Sequence, residues 1–221
     1  MLVLAVVGSG IAAERLSPGN VGLELFENAT ATAAALVAII LALGPVSGAH
    51  LNPVVTLAHR AVGSSPGRDV SAYLVAQLVG GAAGAVLANV IFSVPALELS
   101  TKARSSGALW TSEAVATFGL VLVIFGVVRA GRATTAAFAV GAYIGGAYFF
   151  TSSTSFANPA VTLARTLSNT FTGIAPSSVP AFIAAQLIGA GVAVAAVRVL
   201  YPSSSPPARI EPERKEPARA R

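Results

Sequence analysis

Apolar residues run almost unbroken through five stretches of the chain, 21–43, 70–94, 110–128, 134–150 and 179–200, and Gly, Pro, Ser and Arg gather in the breaks between them. Each stretch is close to the ~20 residues a helix needs to cross a hydrocarbon core. The pattern predicts an all-α membrane protein. A further apolar run at residues 1–13, MLVLAVVGSGIAA, falls short of that length. No basic residues precede it as they would in a signal peptide, so it reads as a piece of a first membrane helix.

Two of the breaks carry one phrase. NPVVTLAH at 52–59 and NPAVTLAR at 158–165 agree at six of eight positions. A second pair of landmarks follows in the same order, AQLVGGAAGA from Ala76 and AQLIGAGVA from Ala185. The first pair is offset by 106 residues and the second by 109, so the chain reads as an internal duplication with units 1–94 and 108–200. Each unit holds three apolar segments and one Asn-Pro phrase. An odd number of crossings turns the second unit upside down relative to the first, an inverted repeat that places a site at the bilayer midplane.

The segments that open on Asn52-Pro53 and Asn158-Pro159 are too short to span. Each has Asn at the N-cap position and Pro at the first helical position. They are expected to be half-membrane helices, reached through the extended stretches SGAH and STSF. Irregular backbone survives at membrane depth only when it is buried in protein or lines a wet cavity. Inversion brings both half-helix N-termini, each with a partial positive charge, to the middle of the membrane. Two Asn amides there can donate to a passing neutral oxygen while the paired dipoles repel cations.

Composition narrows the function. Only 10% of residues are charged, against roughly a quarter in a soluble domain. With no Cys and two His, thiol chemistry and metal ligation find little support, so no enzyme, cofactor or metal site is expected. Much of the net charge of +5 sits in the tail YPSSSPPARIEPERKEPARAR, residues 201–221, whose Pro and mixed charge fit a disordered cytoplasmic tail, not a nucleic-acid-binding surface. If that tail is cytoplasmic, Arg60, Arg68, Arg129, Arg132, Arg198 and the tail's basic residues lie inside. Arg15, Lys102, Arg104 and Arg165 lie outside, in agreement with the positive-inside tendency.

With two Asn-Pro phrases in an inverted repeat, residues 1–200 resemble the aquaporin and glycerol-facilitator family, the major intrinsic proteins. The resemblance implies six spans, two re-entrant half-helices, a pore in each subunit and a homotetramer in the cell membrane. It implies passive passage of water and small uncharged solutes. The pore motifs are then Asn52, Pro53, Val54 and Asn158, Pro159, Ala160, with Val54 where the family usually has Ala. In the family the residue after the second motif is usually Arg; here it is Val161. Family spacing assigns the rest of the filter to Thr32, Gly146 and Ser155.

That filter has no large aromatic, no His and no cation, and is expected to be wide enough for glycerol or arsenous acid. Arg165, one helical turn beyond Val161, reads as a helix-end or loop contact, not as a displaced filter residue. An intramembrane carboxylate such as Glu113 is costly and needs partners; the resemblance implies that it holds the backbone of a re-entrant loop, and Gln77 and Gln186, at equivalent places, are expected to bind loop backbone. Gly80 with Gly84, and Gly141 with Gly145, are spaced for close helix contact. Matching GLVLVIFG to MLVLAVVG leaves nothing in the first unit that answers TSEAVAT, so the first helix reads as truncated at its N-terminus. Two other readings stand beside the channel: an alternating-access secondary transporter, and a non-conducting truncated member of the family.

Overall fold

The computed structural model describes residues 1–62 and 70–202. Arg68 and the basic residues of the tail lie outside the described residues, as does the tail from residue 203 on. The described chain forms α1 (Leu2–Leu16), α2 (Val21–Ser47), α3 (Pro53–Ala61), α4 (Val70–Ile91), α5 (Gly107–Arg129), α6 (Ala136–Phe150), α7 (Pro159–Ala164) and α8 (Val179–Leu200). Short 3-10 turns at Ala133–Thr135, Arg165–Leu167 and Pro176–Ser178 extend α6, α7 and α8. Five segments, Val21–Ser47, Val70–Ile91, Gly107–Arg129, Ala133–Phe150 and Pro176–Leu200, are long and apolar enough to cross a membrane. α1, at 15 residues, rises about 22 Å at ~1.5 Å per residue, short of a ~30 Å hydrocarbon core.

Local chemistry sets where these helices begin and end. Asn20 caps α2 by accepting from Leu23 N at 3.1 Å, and Ser106 caps α5 by accepting from Leu109 N at 3.3 Å. α2 runs past the Gly44-Pro45 pair, where the sequence pattern ends it at 43, and stops at Gly48. That residue takes a left-handed φ of 73° and returns its N–H to the Gly44 carbonyl.

The packing repeats with the sequence. α1 packs on α2 and α4, as α5 packs on α6 and α8; α3 packs on α4 and α8, as α7 packs on α8 and α4. The remaining helix pairs, α2 with α6 and α3 with α7, join equivalent elements of the two units. Exchanging α1–α4 for α5–α8 therefore maps each of these contacts onto another. Small residues allow the close approaches: a Cβ on Gly141 would stand 2.9 Å from the Ala33 carbonyl oxygen, and one on Gly145 3.1 Å from Ala33 Cβ. Gly84 likewise faces the backbone of α1, but Gly80 faces open space and makes no such contact. Leu78, Val79, Phe138, Phe149, Ile188 and Val192 are exposed on the spanning helices, where lipid or a neighbouring subunit would cover them.

Candidate functional site

The two short helices meet through their Asn caps. Asn52 Oδ1 accepts from Val54 N at 3.0 Å, and Asn158 Oδ1 accepts from Ala160 N at 3.0 Å and Val161 N at 3.2 Å. Each Asn also reaches across the pseudo-twofold: Asn52 Nδ2 donates to the Ala157 carbonyl at 2.7 Å, and Asn158 Nδ2 to the Leu51 carbonyl at 2.8 Å. A primary amide has two N–H donors, so one on each Asn remains beyond this clasp. Pro53 and Pro159 occupy the first helical positions, where no N–H is needed.

The approach to each cap is wound in the same unusual way. Ala49 and Leu51 have φ of 44° and 54°, and their equivalents Ser155 and Ala157 have 52° and 47°. A left-handed non-glycine residue costs roughly 1–2 kcal/mol. Such strain persists only where the surroundings over-determine it.

For the second approach the determinant is Glu113. Its side chain is fully buried; Oε1 accepts from Phe156 N at 2.9 Å, and Oε2 from Ala157 N at 2.9 Å and Gln186 Nε2 at 2.6 Å. Gln186 Nε2 also donates to Thr162 Oγ1 at 2.9 Å, and Gln77 Nε2 donates to Thr56 Oγ1 at 3.0 Å. The glutamines thus occupy equivalent places but grip the half-helix threonines, not the loop backbone expected of them. Those threonines bond in turn to the Asn carbonyls, Thr56 at 3.2 Å and Thr162 at 2.9 Å. Among the described residues, no carboxylate plays the part of Glu113 for Ala49–Leu51.

A cavity of about 640 Å³ passes both Asn side chains. Its wall includes Thr32, Leu36 and Ile40 of α2, His50 and Leu51 of the first approach, His59 of α3, Ile124 and Arg129 of α5, and Ile144 and Tyr148 of α6. Ser155, Phe156, Val161 and Arg165 complete it on the side of the second unit. The wall is largely apolar, and the caps and a few side chains provide its hydrogen-bonding groups. A second hollow of about 430 Å³ lies between α1 and α4, beside Gln77, Ala160 and the other flank of Val161.

The assigned filter residues divide. Thr32, Ser155 and Val161 line the cavity together, and Ser155 Oγ has no partner among the described residues. Gly146 does not line it. It is exposed on the outward side of α6, where the ring of Phe150 is the nearest neighbour a Cβ would meet, at 3.8 Å. The helix turns Ile144 and Tyr148 inward instead, and the Tyr148 hydroxyl donates to Thr32 Oγ1 at 3.2 Å. Val54 is also away from the cavity, fully buried against Val121, Phe125 and Ala193 of α5 and α8. Its larger side chain fills a packing site and narrows nothing.

The filter positions read from the sequence carry no large aromatic and no cation, but the cavity wall as a whole does. Tyr148, Phe156 and Arg165 all stand in the wall. Arg165 is only 2% exposed; its Nε donates to the Thr172 carbonyl, and its guanidinium carbon lies 3.4 Å from the centroid of the Phe156 ring. It is a loop contact, as read from the sequence, and a wall residue as well. Arg104, on the loop before α5, stands 5.1 Å from the same ring and donates through Nε to the Gly173 carbonyl at 2.9 Å. Lys102, on that loop, donates to the Phe171 carbonyl at 2.8 Å, and burial first, then Arg104, holds its ammonium below the usual lysine range. Sequence spacing missed Tyr148 because α6 turns a different face inward. The repeated Thr, at the same place in both phrases, is the sequence signal that points to the glutamine grip.

The family model described as "Major intrinsic protein" matches residues 1–155. The chain is 48% identical to the aquaglyceroporin AqpS of Rhizobium meliloti over 206 residues, which cover 93% of this chain and 88% of that one. The chain belongs to the major intrinsic protein family. A probable aquaporin AqpM of Archaeoglobus fulgidus is 36% identical over 137 residues, 58% of this chain and 55% of that one. Among solved structures, the aquaglyceroporin from Plasmodium falciparum superposes with a TM-score of 0.66 at 23% identity, over 89% of this chain and 90% of that one, which shows the shared fold. As a major intrinsic protein with five apolar spanning segments, the chain is a multi-pass membrane protein.

Proposed function

We propose that this protein is a passive channel for water and small uncharged solutes such as glycerol, and not an enzyme. One observation carries the reading: two Asn amides, each fixed by its own helix cap and by the opposite unit, stand in the wall of one largely apolar cavity. A neutral hydroxyl or water oxygen passing there finds donors at the caps, between stretches of apolar wall. The likeness to an aquaglyceroporin supports polyols among the solutes. Arsenous acid, a small neutral trihydroxide, belongs to the same proposed class.

The pore motifs in this proposal are Asn52-Pro53-Val54 and Asn158-Pro159-Ala160, and the filter comprises Thr32, Ser155 and Val161 with Tyr148 in the place expected of Gly146. Glu113, Gln77 and Gln186 are its structural supports. The channel domain is 1–200, in the cell membrane, with the C-terminus cytoplasmic and four copies assembled through their exposed helix faces. An ion-coupled transporter needs an intramembrane acid or base free to hold its ion. Both oxygens of Glu113 are engaged by donors that serve the fold, which favours the channel.

The test is stopped-flow permeability of vesicles carrying the protein, for water, glycerol and arsenous acid. Flux that rises linearly with the gradient and dissipates it supports the channel. Saturable, gradient-coupled uptake supports the transporter, and permeabilities equal to those of empty vesicles support the non-conducting reading.

A further inference from the structure

We propose that Arg165 is the cation of the filter, working from one turn further along the half-helix than the position that follows the Asn-Pro motif. The inference rests on the channel reading and concerns what makes the pore selective. Val161, at the adjacent position, offers only methyl groups to the cavity. Arg165 stands in the same wall, reaching back over the approach segment to stack on Phe156.

Its anchoring leaves donors over. A guanidinium has five N–H donors, and the Thr172 carbonyl takes the one on Nε. No nitrogen of Arg165 is among the buried polar atoms that lack a partner. Among the described residues no carboxylate pairs with it, so its terminal nitrogens open onto the cavity. The platform beneath is rigid: Glu113 holds the Phe156 N–H, and the ring packs edge-on against Phe182 with centroids 5.3 Å apart.

The first unit makes the same reach with different chemistry. His59 and His50 are the equivalents of Arg165 and Phe156, both line the cavity, and their ring centroids are 4.8 Å apart. The seventh residue after each Asn therefore folds back onto the second residue before it. This geometry puts a side chain at Arg165 within reach of the filter although it lies a turn too far along the helix axis.

The consequences are a positive potential and a set of hydrogen-bond donors at one reach of the pore. Arg165 and Arg104 flank Phe156, while the carboxylate of Glu113 is spent on backbone and amide donors. Hydroxyl oxygens of polyols can accept from the guanidinium, whereas hydronium and metal cations meet a barrier.

The experiment compares wild type, Arg165→Leu, Arg165→Lys and Arg165→Leu with Val161→Arg in vesicles. It reads water, glycerol and proton fluxes beside the thermal melting of each protein. Arg165→Leu is expected to raise proton leak about tenfold and to lower the glycerol-to-water ratio about threefold, with Val161→Arg restoring proton exclusion from the neighbouring position. Arg165→Lys keeps the charge but loses the fork, so it should exclude protons while lowering the ratio. If Arg165→Leu leaves leak and ratio unchanged in a conducting protein, the inference is overturned and the channel reading stands. If Arg165→Leu does not fold, Arg165→Lys decides, and an unchanged ratio overturns the inference. A wild type that passes nothing sinks both.

Discussion

Replacing Glu113 with Gln removes one acceptor oxygen from a site where three donors converge. Phe156 N, Ala157 N and Gln186 Nε2 lie 2.6–2.9 Å from the carboxylate oxygens, with the side chain fully buried. A hydrogen bond to a charged acceptor contributes about 1.5–3 kcal/mol, and an orphaned buried donor costs about 1–3 kcal/mol. Gln can keep its oxygen facing Ala157 and Gln186, but its amide nitrogen then confronts the Phe156 N–H, donor against donor. The net cost is about 3 kcal/mol, which for a chain of this size lowers the melting temperature by roughly 6–12 °C. Glu113→Ala orphans all three donors and should cost about 3–9 kcal/mol. The assay is thermal melting of the detergent-solubilised protein, followed by near-ultraviolet circular dichroism, alongside water permeability in vesicles. Because Phe156 carries the stack with Arg165, permeability should fall with stability. A Gln variant that melts within about 2 °C of wild type and conducts equally would refute the claim that this carboxylate holds the second approach in its strained path.

Asn158→Ala removes a helix cap and the clasp to Leu51, and should cost about 1–2 kcal/mol while lowering glycerol permeability, read by melting and stopped flow. Val54→Ala should cost about 1–3 kcal/mol by leaving a cavity against α5 and α8, yet leave the glycerol-to-water ratio unchanged, because the side chain is away from the pore. Gly141→Ala places a Cβ 2.9 Å from the Ala33 carbonyl oxygen and should destabilise by about 1–3 kcal/mol, seen as a lower melting temperature.

Much of the fold was legible in the chain because a membrane simplifies the code. A buried helix in lipid needs only length and apolarity, and the stretches 70–94, 110–128, 134–150 and 179–200 lie within a few residues of the helices that form. The end of α2 was misread because Gly44-Pro45 looks like a break. Pro45 forfeits one backbone bond near the end of a long helix, and the chain waits for Gly48 to turn. The caps were legible because Asn-Pro is a local signal whose physics lies within four residues. The filter was only partly legible, because it depends on which face α6 turns inward. The approach of Gly141 and Gly145 to Ala33 fixes that face and brings Ile144 and Tyr148, not Gly146, to the cavity. Arg165 was legible as a loop contact, but its place in the cavity wall was not, because axial distance along a helix ignores that the preceding approach folds back beside it.

The duplication also explains where the two ends of the pore acquire different chemistry. Residues that both phrases retain, the Asn, Pro, Val, Thr, Leu and Ala positions, build geometry: the caps, the first turns and the threonine grip by glutamine. Of the positions that differ, His59 against Arg165 and, on the approaches, His50 against Phe156 face the cavity, whereas Val54 against Ala160 does not. Under inversion such differences fall on opposite sides of the Asn pair. One side is lined by a pair of imidazoles, the other by an arginine on a phenyl platform held by Glu113. A pore built from identical halves would present the same groups to a solute entering from either side. Here the positions that both phrases retain keep the two halves in register, and the divergent positions give the second half-helix an arginine where the first has a histidine.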